Sequence, residues 1–304
     1  MNLCALCQKS PDLQSSHILP KFVWRYMIKS SMTGYMRMGR TPNKRVQDGL
    51  REKLLCLDCE RIFSSSESTF AESVFYPLHQ SNTKPALFPY GPWLLKFAVS
   101  VSWRNLFIHL NPKFSKFSTT TTGPQLSVAR EALETWRKFL AGETKNIGAF
   151  QQHMFFSGIL DSVKWDPQTS VPPNINRYLA RAIDMTIAAG ERDILVYSKM
   201  GRVINVGFIS IGHPEAWEGT RVGIGTGFIG RKSIVLPSSF GEFIFARARG
   251  VREIVQKISE RQSKIGDRTI SENADRAANS PSFTALERDV EMFGDGAFVK
   301  SGSH

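Results

Sequence analysis

The chain holds four cysteines in two matched pairs, Cys4 and Cys7 in "LCALC" and Cys56 and Cys59 in "LLCLDC". A C-x2-C turn presents two thiolates to one ion, and two such turns complete the tetrahedral sulfur set of a structural Zn2+. No cysteine is left over. His17, in "SSHILPKF", is therefore not needed by the zinc, and its imidazole is available for proton transfer. The plainer alternatives are a histidine hydrogen-bonded inside a turn and one that contacts nucleic acid without catalysis.

The elements that must carry these residues are readable from composition. The chain has 304 residues and a 41% hydrophobic fraction, enough for a buried core, and 39 Lys and Arg against 27 Asp and Glu leave a net charge of +12. Such a balance favours a polyanion through counterion release. The N-terminal zone concentrates it, with ten Lys or Arg against five acids up to Glu60, interleaved with Phe22, Trp24, Tyr26 and Tyr35. Arg37, Arg40, Lys44 and Arg45 are the expected phosphate contacts, with DNA favoured over RNA.

"MNLCALCQKS" turns polar too early for a secretory signal, which implies a cytoplasmic address where reduced thiols favour zinc over disulfides. The most apolar stretch, residues 93–110, carries Lys96 and Arg104 and reads as a buried helix rather than a membrane span of about 20 apolar residues. No membrane association is expected.

The pattern predicts an α+β fold in three parts: a zinc-bound ββα module over 1–75, a helical and β-rich recognition or regulatory domain over 76–263, and a polar, mobile tail over 264–304 whose short amphipathic run "FTALERDVEMF" could dock on the body or a partner. In the middle part, 127–141 and 174–190 read as helices, the second closed by Gly190. Residues 193–212 read as two strands around a glycine turn, and 220–237 as further strand-like runs, giving a small antiparallel sheet. The glycine cluster "GIGTGFIG" lacks the order of a phosphate loop and reads as turns and close sheet packing. A long C-terminal helix is expected over 238–266, with Ser239 and Glu242 as a capping box and Ile244, Val251, Ile254, Val255 and Ile258 on one side. His79, His109, His153, His213 and His304 are scattered and form no second site.

"SSHILPKF" followed by "LLCLDCE" resembles the HNH, or ββα-metal, endonuclease superfamily in its zinc-braced form, over residues 1–75. The resemblance implies that the four cysteines hold structural zinc and that His17 is the general base. It puts Ser16 and Glu60 at positions where the family carries catalytic-metal ligands, and Asn43 in "TPNKRVQDG" at its intervening Asn. Asp48 and Glu52 are further carboxylates. Phosphodiester hydrolysis needs a deprotonated water and a divalent ion such as Mg2+ or Mn2+, which prefers oxygen ligands. Glu60, with Asp48 or the Ser16 hydroxyl, could hold it, although a Glu in the first turn of a helix also simply suits the helix dipole. By analogy, such modules occur in antiphage-defence and mobile-element proteins, with a second copy or a defence-system protein as partner. The alternatives are a zinc-binding nucleic-acid-binding protein without catalysis, and an adaptor whose zinc module holds a protein.

Overall fold

The computed structural model describes residues 3–80, 87–115, 121–158, 170–230 and 236–298. Their architecture is α+β and comprises two compact units, each built from non-contiguous segments. The first takes the described residues of Met1–Pro20, Gly49–Phe156 and Ile183–Val235, the second those of Lys21–Asp48, Ser157–Ala182 and Leu236–His304. Strands and helices are numbered along the chain.

In the first unit, α4 (Trp93–Leu110) is the central element. It is apolar on nearly all sides, as a helix covered by neighbours must be, and it packs on α2 (Leu57–Phe70), on α5 (Gly123–Leu140) and on a four-stranded antiparallel sheet. The sheet order is β6 (Gln151–Phe156), β9 (Val203–Ser210), β8 (Ile194–Met200), β7 (Ile183–Ala189). The buried polar side chains of α4 find partners there: Asn105 Nδ2 donates to the Tyr197 carbonyl at 2.7 Å and Ser102 Oγ to Gln152 Oε1 at 2.8 Å. Gly207 lets β9 approach closely, since a Cβ there would lie 2.6 Å from Ser102 Oγ and 2.9 Å from the Trp136 ring.

The hairpin expected over 193–212 is β8–β9, turned at Gly201 with φ +62°. The helix expected over 174–190 is shorter: α6 (Ile175–Arg181) ends and the chain becomes β7, with the Gly190 amide donating to the Asp193 carbonyl at the hairpin turn. Ile183, Thr186 and Ile187 are β-branched, and pairing with β8 overrides the helical spacing. Strand β6 lies between the two segments read as helices and completes the sheet beside β9. From the glycine cluster, β10 (Gly227–Ile229) pairs with β5 (Phe88–Tyr90), and a Cβ on Gly227 would meet the Tyr90 hydroxyl at 2.6 Å, so the glycine permits close sheet packing. The end of that run, 231–235, lies outside the described residues, as does His304.

The expected 1–75 module divides between the units: β1 (Ser15–His17), β4 (Arg51–Lys53) and α2 belong to the first, and α1 (Lys21–Lys29), β2 (Met36–Met38) and β3 (Thr41–Val46) to the second. The second unit also contains α7 (Ser238–Gln256), α8 (Glu260–Glu272), α9 (Ala274–Ala278) and α10 (Pro281–Phe293). The single helix expected over 238–266 is interrupted at Lys257–Ser259, and α7 begins at Ser238 without the Ser239 capping box. Its buried stripe is Phe240, Ile244, Phe245 and Ala248, whereas Val255 is exposed. The segment read as a polar tail is helical through Phe293, and fully buried Asp289 anchors it. The Asp289 carboxylate accepts from the Asn176 amide at 2.8 Å and pairs with Arg177 Nε at 2.7 Å, capping the first turn of α6 from a distant part of the chain.

Candidate metal centre

The four cysteine sulfurs lie within 4.8 Å of one another, with Cys7 and Cys56 Sγ 3.9 Å apart. A tetrahedral ZnS4 centre with bonds of about 2.3 Å separates its sulfurs by about 3.8 Å, so the set fits zinc. Local backbone explains how. The first pair sits on a turn in which Gln8, at φ +58°, donates to the Cys4 carbonyl and the Cys4 amide donates to the Ser10 carbonyl. The second opens α2, where Cys56 is the N-cap and its amide donates to Cys4 Sγ at 3.3 Å, while the Ala5 amide donates to the Leu54 carbonyl and ties the two turns together.

Electrostatics divides the thiols. The Ser10 backbone, followed by that of Lys9 and the nearby sulfurs, brings Cys7 down to about 6 against the opposing effect of burial, whereas burial first and then the neighbouring sulfurs push Cys59 well up. Without a cation, four thiolates at this separation repel one another. A bound Zn2+ would offset that repulsion with its own charge and so let all four stay deprotonated.

Two buried arginines from outside the expected module brace this region. Arg137 on α5 donates to the Leu6 carbonyl, inside the first cysteine turn, at 3.0 Å, and is itself held by Glu134 and Glu143 at 2.8 Å each. Arg104 on α4 donates to the His17 carbonyl at 3.0 Å and to Glu67 Oε1 on α2 at 2.6 Å, and its guanidinium lies 5.2 Å from the Phe63 ring centroid. Neither bracing role is legible in the sequence. The available signal was a charge inside an apolar helix, and of the two in 93–110, Lys96 is exposed while Arg104 is 3% exposed.

His17 ends β1, which pairs antiparallel with β4 so that His17 stands opposite Arg51. Arg51 Nε donates to His17 Nε2 at 3.1 Å. The strand alternation puts Ser16 on the other face. It is 2% exposed and its Oγ accepts from the Leu55 amide at 3.2 Å, so its hydroxyl is built into the strand-to-helix connection rather than offered beside His17. Glu52 stands opposite Ser16. Glu60 is in the first turn of α2, and its Oε1 is buried without a hydrogen-bond partner.

The remaining predicted residues lie in the second unit. Asn43 is hydrogen-bonded within this unit: its Oδ1 accepts from the Ser259 amide at 2.7 Å and its Nδ2 donates to the Lys257 carbonyl at 3.3 Å, at the α7–α8 junction. Arg37 donates to the Pro42 carbonyl at 2.9 Å and to Gln262 at 3.2 Å. Arg37 and Arg45 lie 5.4 and 5.5 Å from the Tyr35 ring centroid, and Arg40, Lys44 and Arg45 are exposed on the β2–β3 hairpin. Among the described residues no helix is long and apolar enough to cross a membrane. Compared with models of protein families, with curated proteins and with solved structures, the chain matches none.

Proposed function

We propose that this chain is a metal-dependent endonuclease of the HNH type that hydrolyses nucleic-acid phosphodiester bonds, DNA in the first instance. The observation that carries the reading is the sequence of parts β1–β4–α2: a histidine at the end of the first strand, a four-sulfur cluster at the helix start, and one turn further a carboxylate with an unpartnered buried oxygen. Glu60 is the residue that would hold Mg2+ or Mn2+. A hydrated Mg2+ accepts so sparse a protein ligand set because it keeps several waters and takes substrate phosphate oxygens as further ligands, and when bound it neutralises phosphate charge.

His17 takes the proton of the attacking water. In the present arrangement its Nε2 lone pair receives the Arg51 N–H. A phosphate is a stronger acceptor for a guanidinium than a neutral imidazole, so substrate draws the exposed Arg51 away and leaves Nε2 for the water. Arg51 thus guards the base and then helps to hold the substrate.

The test is plasmid relaxation by purified protein with Mg2+ or Mn2+. His17→Ala should retain zinc and DNA affinity and lose cutting by the roughly 10²–10⁴-fold typical of a positioned acid–base group. Cutting at the parent rate by His17→Ala refutes the assignment. The second reading, a nucleic-acid-binding module without catalysis, is favoured by the engagement of Asn43 at the α7–α8 junction and of Ser16 at the Leu55 amide. It predicts DNA binding with no metal-dependent cleavage by the parent. A place in antiphage defence follows only by analogy from the nuclease reading.

A further inference from the structure

Residues 21–47 contain seven Lys or Arg and no acid. Three of them, Lys21, Arg25 and Lys29, recur every fourth residue along α1. That spacing keeps them on one side of the helix, and all three are exposed while Val23, Trp24 and Met27 face the core. Cations four residues apart repel one another and weaken a helix. On other helices four exposed cations are relieved by a carboxylate at the neighbouring turn, in Arg61–Asp58, Lys264–Glu260, Arg268–Glu272 and Arg288–Glu291. Those on α1 are not: among the described residues none of the three has an ion-pair partner. Arg181 adds to the field from beneath. Its Nη2 donates to the Met27 carbonyl at 3.0 Å, its Nε is buried without a partner, and burial lowers its pKa to about 10.

We infer that this face of α1 is a docking surface for a nucleic-acid backbone, additional to the β2–β3 hairpin. The cations are spaced about 6 Å apart along the axis, and a duplex presents a phosphate every 3.4 Å or so of axis on each strand, so neighbouring side chains reach different phosphates. The surface reads no bases. It supplies sequence-independent affinity to a body that also carries Arg40, Lys44 and Arg45. The proposal shares with the nuclease reading the choice of polyanion, and does not depend on cutting.

The test is fluorescence anisotropy of the full chain with a labelled duplex of random sequence, titrated between about 50 and 200 mM salt, the range over which phosphate contacts dominate. Lys21→Gln/Arg25→Gln/Lys29→Gln should flatten the slope of log K against log salt by about 2.7, which is about 0.9 per lost contact. Lys21→Arg/Lys29→Arg should keep the parent slope. Zinc content and far-UV circular dichroism check the fold, and if the triple variant does not fold, Arg25→Gln alone should flatten the slope by about 0.9. A Gln variant with the parent slope overturns the inference. So does a parent that binds no DNA at low salt, or a triple variant whose only loss is binding to phosphatidylserine vesicles. A parent that binds DNA but never cuts it defeats the nuclease reading and leaves this surface standing, whereas a Gln variant that cuts with the parent's salt slope does the reverse.

Discussion

Replacing Arg104 by Met should destabilise the first unit by about 3–5 kcal/mol, the range found when one partner of a buried ion pair is removed. The magnitude follows from what is left behind. Glu67, only 18% exposed, loses a cation at 2.6 Å, and the His17 and Ser100 carbonyls lose donors at 3.0 and 3.1 Å. Met fills most of the volume, so the loss is electrostatic rather than a cavity. Removing both charges in Arg104→Met/Glu67→Met abolishes the uncompensated carboxylate, and only the orphaned carbonyls remain, at about 1–3 kcal/mol. The double variant should therefore be more stable than Arg104→Met by about 2 kcal/mol. Urea unfolding followed by tryptophan fluorescence reads this, because Trp103 adjoins Arg104 in sequence and sits edge-on to the Phe63 ring. A loss below about 1 kcal/mol for Arg104→Met, the size expected of an exposed pair, would refute the buried-brace argument. So would a double variant no more stable than the single one.

Metal analysis of the parent should give about one zinc per chain, and Cys56→Ser should release it and unfold the N-terminal region, since structural zinc supplies on the order of 10 kcal/mol in small zinc modules; a variant that keeps its metal refutes the four-cysteine site. A pH effect is expected from His153, which is 1% exposed and lowered to about 4 by burial and then by Arg221. The unfolded chain protonates this histidine from about 6.5 downward while the folded chain does not until about 4, so stability from this residue is intact above 6.5 and is lost between 6.5 and 4. Urea midpoints should fall across that window with a slope contribution of about 1.4 kcal/mol per pH unit, and His153→Gln should remove that contribution; an unchanged pH profile refutes the assignment.

Some features of this protein are written locally. The four-sulfur cluster that could hold zinc follows from two C-x2-C pairs, each a tight turn that brings its two thiols together, and the β8–β9 hairpin follows from two β-rich runs around Gly201. The burial of 93–110 follows from its composition alone. Other features were decided only in three dimensions. "IDMTIAA" has spacing compatible with a helix and becomes β7 because β8 offers a full set of pairing partners. Asn43 has the type of a nuclease residue, yet its amide is engaged by Lys257 and Ser259, more than two hundred positions away. Ser16 and His17 are adjacent in sequence, but the pleat sends them to opposite faces. Arg104 and Arg137 meet carbonyls 87 and 131 positions away. Periodicity tells which face of an element is buried. It carries no record of which distant carbonyl or carboxylate will stand against that face, and here that pairing decides whether a charged side chain is buried against a carbonyl, as Arg104 and Arg137 are, or left exposed, as Lys21, Arg25 and Lys29 are.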